Sequence, residues 1–179
     1  MTWRRDSWIY VLAALVLTVG ILVAGQLAWH KFAVAKPLDK VLVSIQGVES
    51  ASLAEAGPKN DTPTVDVTLG RVDDLQKTYG EIDDAVKRLM GRKPVRIILH
   101  DRHTSELEEF YYGVHYYIQE ALVTGNYSTM AERISAKAQA AEIDCRIYVD
   151  EKYIYIQLAK GDNGFYRVVP RQADSREVK

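Results

Sequence analysis

The sequence predicts an α+β fold: an N-terminal transmembrane helix followed by αββαβ and ααβββ elements, with mainly antiparallel sheets. Three observations lead there. Trp8 to Trp29 is a run of 22 residues without a charge. Beyond it, apolar residues recur at helical and strand spacing in alternating blocks separated by Gly, Pro and Asn. The composition is that of a folded chain, with 47% hydrophobic and 26% charged residues over 179 positions, which argues against disorder, collagen-like repeats and low-complexity polymers.

Charge and cysteine narrow the function classes. There are 23 Lys and Arg against 24 Asp and Glu, a formal charge of -1, so no pervasive basic field favours a nucleic-acid partner. Cys145 is the one cysteine, too few for a disulfide within the chain or a thiolate zinc cage. No cofactor is expected.

At ~1.5 Å rise per residue, the uncharged run matches a hydrocarbon core roughly 30 Å thick. Trp8, Tyr10 and Trp29 bracket it with interfacial rings, Arg4 and Arg5 precede it, and His30 and Lys31 follow. Ala33-Val34-Ala35 has the small-x-small form of a signal-peptidase site, but the run is longer than a signal core of about 7–15 residues. The sequence therefore favours an anchor over residues 8–30. The short tail 1–7 is read as cytoplasmic and the large domain as extracytoplasmic, although Lys31, Lys36 and Lys40 nearly balance the two arginines. Gly20 and Ala24 form a small-xxx-small pair, a weak signal for helix association.

The elements of the domain follow in order. Pro37 suits a first helical turn, and Leu38, Val41, Leu42 and Ile45 keep helical spacing until Gly47. Val48 to Ala54 reads as a strand, a polar turn carries Gly57, Pro58, Asn60, Asp61 and Pro63, and Val65, Val67 and Leu69 alternate as a second strand. Asp73 or Asp74 caps a helix bearing Leu75, Tyr79, Ile82, Val86 and Leu89, which Gly91 ends. Val95 to Leu99 is a third strand after Pro94. Ser105 and Glu108 stand as a capping box for a helix from about Glu106 to Thr124, with Gly125 and Asn126 as its exit, and Thr129 and Glu132 repeat the relation for the next helix. Ile147 and Val149, then Ile154, Ile156 and Leu158, return to period two. A turn over Gly161 to Gly164 leads into a last strand, Phe165 to Val169. The expected regions are 36–101, 104–170 and a loose tail over 171–179.

The order of helix Leu38–Gln46, strands Val48–Ala54 and Val65–Leu69, helix Val72–Met90 and strand Val95–Leu99 resembles ring-building or KH-like modules of membrane-associated secretion and sporulation assemblies. That resemblance rests on element order over about a third of the chain. It implies assembly at a membrane and, without a GXXG loop, no nucleic-acid binding. The whole chain is similar to single-pass bacterial membrane proteins, which implies no mechanism.

Few residues suggest chemistry. His100, Asp101 and His103 could bind a metal or move a proton, but a zinc site needs three or four convergent ligands and no H-E-x-x-H helix supplies them. Asp83, Asp84, Glu106, Glu108 and Glu109 offer carboxylates without an established separation. No nucleophile elbow or phosphate loop occurs. Cys145 shares the side of Ile147 and Val149 and reads as a small buried hydrophobe.

The aromatic excess is more informative. Phe110, Tyr112, Tyr116 and Tyr117 fall outside the main helix stripe, and Tyr148, Tyr153 and Tyr155 lie opposite Ile147, Ile154 and Ile156. They form either a second packed layer or a contact surface. The resulting expectation is a membrane-anchored module that binds another protein or itself without catalysis, with Tyr116, Tyr148 and Tyr155 as interface candidates. The competing classes are a tethered hydrolase or ligand-binding enzyme around His100 and His103, and a glycan-binding module.

Overall fold

A computed structural model describes residue 12 and residues 14–22, 36–54, 62–91 and 94–172. Residues 14–22 are helical. Among the described residues, no helix is long and apolar enough to cross a membrane. Most of the expected anchor over 8–30, all of the tail 1–7, residues 173–179 and most of the polar turn after Ala54 lie outside the described residues.

The domain is α+β with two three-stranded sheets. Helix α1 (Lys36–Val43) leads into β1 (Val48–Ala54) and β2 (Thr64–Leu69), which pair antiparallel. Glu49 is an extra residue in that ladder, between the Val48–Leu69 and Ser50–Thr68 pairs. Helix α2 (Leu75–Met90) crosses over to β3 (Arg96–His100), which pairs parallel with β2. Helices α3 (Ser105–Thr124) and α4 (Tyr127–Ala140) then precede the antiparallel meander β4 (Asp144–Val149), β5 (Tyr153–Lys160) and β6 (Asn163–Pro170).

Capping explains most helix limits and corrects two of them. The Asp74 side chain accepts from the Lys77 N–H, and Gly91 closes α2. The cap of α3 is Thr104, whose hydroxyl accepts from the Leu107 N–H, so Ser105 is the first helical residue instead of the cap. Gly125 ends that helix in the left-handed conformation expected of it. Helix α4 begins at Tyr127 with Asn126 at its cap position, three residues before the anticipated cap Thr129, and Asn126 makes no side-chain cap bond. Backbone bonds from Tyr127 to Gly125 and from Met130 to Asn126 satisfy that end.

The β4–β5–β6 sheet is covered on both faces. One face carries Ile154, Ile156, Leu158 and Phe165, all 0% exposed, packed against Leu107, Val114, Ile118 and Ile134 of α3 and α4. Each such side chain contributes roughly 1.5–3 kcal/mol by leaving water. The other face carries Tyr148, Tyr153, Tyr155, Tyr166 and Val168 and joins the core formed by α1, α2 and the first sheet. Period two thus sends alternate residues of one strand into two different cores.

Polar bonds fix the second junction. Gln157 is 5% exposed; it accepts from the Leu75 N–H (3.1 Å) and donates to the Val72 carbonyl (2.7 Å). The Tyr166 hydroxyl accepts from the Val72 N–H at 3.1 Å, and Arg146 donates to the Asp73 carbonyl at 2.7 Å. Gly164 makes room for that tyrosine, because a Cβ there would lie 2.5 Å from the Tyr166 hydroxyl.

Candidate functional site

The site grows out of two strand edges. β3 ends the order of the first sheet and β6 that of the second. The Arg96 N–H donates to the Pro63 carbonyl at 3.0 Å, which sets the phase of the parallel ladder. Arg96, Ile98 and His100 turn their backbone groups to β2, while Ile97 and Leu99 turn theirs outward. In β6, the Tyr166 N–H donates to Asp101 Oδ2 at 2.7 Å. Tyr166 and Val168 therefore point away from β5, as does the Pro170 carbonyl. Among the described residues, nothing bonds to the outward backbone groups of Ile97, Leu99 and Val168.

Between these edges lies a groove of about 510 Å³. Its floor is aromatic: Tyr79, Tyr153 and Tyr166 line it. The Tyr79 ring meets that of Tyr153 edge-on at 5.4 Å between centroids and that of Tyr155 at 5.9 Å. Ile97, Leu99 and Val168 add aliphatic walls. Burial, then the neighbouring Tyr153 and Asp83, push the Tyr79 hydroxyl far above the ordinary tyrosine range. Burial likewise raises Tyr166. These hydroxyls stay protonated at physiological pH, so the floor is neutral and apolar with hydrogen-bonding tips.

Among the groove's described lining residues, the charged side chains are arginines. Its described lining includes Arg96 and Arg167 and no carboxylate. The Arg167 guanidinium lies 4.4 Å from the Phe165 ring centroid, donates to the Tyr166 carbonyl at 3.2 Å and stands 3.8 Å from Asp101. No Ser, Cys, His or Lys is among the described lining residues either. The arrangement can hold an extended chain by its backbone; it offers no activated nucleophile.

The residues singled out by sequence scatter around this groove. Tyr155 is 3% exposed and its hydroxyl donates to Asp150 at 2.7 Å, which makes it a core residue below the surface. Tyr148 is half-buried against the same core. Tyr116 lies on α3, across the second sheet from both, and is 79% exposed. The three do not form one surface. The second packed layer accounts for Tyr148, Tyr153 and Tyr155, while Tyr112 and Tyr116 face solvent.

The histidines also separate. His100 Nε2 meets Asp66 Oδ1 at 2.8 Å on the outer face of the first sheet, while His103 Nδ1 pairs with Asp101 and its Nε2 stands 3.8 Å from Glu108. No group of three or more potential metal ligands comes together among the described residues. Cys145 packs beside the second core, and burial followed by Asp144 pushes its thiol up to about 11, an unreactive setting.

Sequence reading passed over Ile97, Leu99, Tyr79, Tyr166 and Val168 as site residues. One signal was available: Pro94 precedes β3 and Pro170 closes β6, and proline is tolerated at strand starts and sheet edges. No family model matches this chain, and no curated protein or solved structure does either.

Proposed function

We propose that the protein is a membrane-anchored, extracytoplasmic interaction or assembly module without catalytic turnover, and that the groove between β3 and β6 receives its partner. The observation that carries this reading is the pair of outermost strands on opposite walls of one aromatic-floored groove, where the outward backbone groups of Ile97, Leu99 and Val168 bond to nothing among the described residues. Exposed edges are templates for pairing with another chain. The uncharged run Trp8–Trp29 supports the anchor. An anchor also confines the domain to a surface and raises its effective concentration near other membrane components.

Photocrosslinking in intact cells tests the reading. A photoreactive residue replacing Ile98, which is 38% exposed and lines the groove, is expected to give discrete adducts. The same group at Ser135, on the exposed side of α4, is expected to give none. Indistinguishable adduct patterns at the two positions would refute the groove as the contact site. Carbonate-resistant pelleting of the full chain, lost when residues 8–30 are deleted, tests the anchor separately.

A further inference from the structure

We infer that the exposed face of α1 rests on the headgroups of an anionic bilayer, which leaves the β3 edge of the first sheet, and the groove with it, on the side away from the lipid. The inference rests on the anchor read over residues 8–30 and adds the surface by which the domain meets the membrane.

Tether length limits where α1 can lie. From residue 30 to Lys36 the fully extended chain reaches about 20 Å. A compact domain over Lys36–Pro170 has a radius of gyration of about 14 Å, hence a width of roughly 35 Å. The tether is too short to pass round such a body. α1 therefore belongs to the half of the domain next to the membrane, and the headgroup zone, about 5–7 Å deep on each side, shortens the remaining gap.

Helical position decides which side chains meet that surface. Leu38 and Leu42 are 0% exposed and turn into the first core, so at ~100° per residue the opposite face carries Lys40 and Val43, with Asp39 and Val41 at its margins. Val43 is 44% exposed. Lys40 makes no bond or ion pair with another described residue. An aliphatic stem ending in an ammonium, beside a valine, suits the headgroup boundary: the apolar parts leave water while the charge stays among the phosphates. The sequence around the junction carries Lys31, Lys36 and Lys40 against Asp39, an excess that anionic headgroups attract over about a Debye length. Each such attraction is weak, but the tether holds it at high effective concentration. A protein seated on this face would have to fit under a domain already held within about 20 Å of the bilayer.

Sheet order then places the groove. α1 packs on β1 and α2, and β1 and β3 form opposite edges of the first sheet. Two strand spacings, about 10 Å, separate them. With α1 on the lipid, the β3 edge remains open to partners arriving from water.

The test uses the full chain with Cys145→Ser, so that one introduced cysteine carries an environment-sensitive NBD dye, reconstituted in phosphatidylcholine vesicles containing about one-third phosphatidylglycerol. Nitroxide-labelled lipid is expected to quench the dye at Val43→Cys at least about twofold. The same dye at Ser135→Cys and at Ile98→Cys should be left nearly unquenched. Omitting phosphatidylglycerol, or adding Lys40→Glu, should reduce the quenching at position 43 at least about twofold, with carbonate-resistant pelleting and the circular dichroism spectrum unchanged. Position 43 quenched no more than position 135 in a chain that still pellets would overturn the inference and leave the anchor standing. Equal quenching at 43 with and without phosphatidylglycerol would overturn the choice of anionic lipid, and quenching at 98 as strong as at 43 would overturn the orientation. Loss of pelleting would remove the anchor and this contact together.

Discussion

The two faces of the β4–β5–β6 sheet are built from different chemistry. The face under α3 and α4 is apolar, with Ile154, Ile156, Leu158 and Phe165 fully withdrawn from water. The face toward the first sheet is tyrosine-rich and carries Gln157, whose amide bonds in both directions to the loop before α2. Aliphatic packing is strong and tolerant of small shifts, because burial has no direction. Hydrogen bonds between buried groups accept only one alignment. One face therefore supplies bulk stability, and the other fixes where the two halves meet and leaves their outer edges apart.

The largest expected effect comes from breaking the apolar face under α3 and α4. Phe165→Ala should cost about 3–5 kcal/mol, through lost transfer energy and the cavity left behind. A denaturant melt would show it as a lower midpoint, and a loss below about 1 kcal/mol would mean that the helices carry less of the fold than their burial implies.

Gln157→Ala sharpens the contrast from the other side. It orphans the Leu75 N–H and the Val72 carbonyl, both buried, at a cost of about 2–3 kcal/mol. Hydrogen exchange should accelerate first at residues 72–75, with protection across α3 and α4 retained. Uniform acceleration across both cores would show that the junction is not a separable cooperative unit.

Acid probes the same face. Burial works against the Asp150 carboxylate, but bonds from the Tyr155 hydroxyl and from the Tyr153 and Lys152 backbone N–H groups outweigh it and hold the carboxyl below its ordinary range. A depressed folded-state value stabilises the fold above the unfolded value of about 3.9, and that contribution is lost as pH falls through the folded value. Tyr155→Phe removes one bond and should flatten the stability profile in that acidic window. An unchanged profile between neutrality and pH 3 would assign the shift to the remaining donors, the Tyr153 and Lys152 N–H groups and the Gln76 side chain.

Tyr116→Ala should change stability by less than about 0.5 kcal/mol, since its ring faces solvent on α3. A larger loss, measured by the same melt, would place the ring in a contact of the folded chain.

Much of the fold could be read from residue order. Period two in Ile154–Leu158 and period 3.6 in Leu75–Val86 reflect burial on one side of an element, which local sequence records directly. The caps lie one residue before the expected Ser105, at Thr104, and three before the expected Thr129, at Asn126, because element ends are the part of a helix that local sequence records least well. Tyr153 and Tyr155 were placed opposite the isoleucines, but whether that face met solvent or a second core depends on an element some 70 residues earlier in the chain. The groove was illegible for the same reason. Pro94 and Pro170 hint that β3 and β6 are edge strands, but nothing local to Ile97 or Val168 records that the two strands stand side by side.

Asp101 gives this arrangement a further consequence. Its side chain is 1% exposed and occupies the junction where β3 and β6 come together, holding the Tyr166 N–H that a neighbouring strand would otherwise claim. It acts as a chock. With the carboxylate there, that N–H is closed to any ladder between β3 and β6.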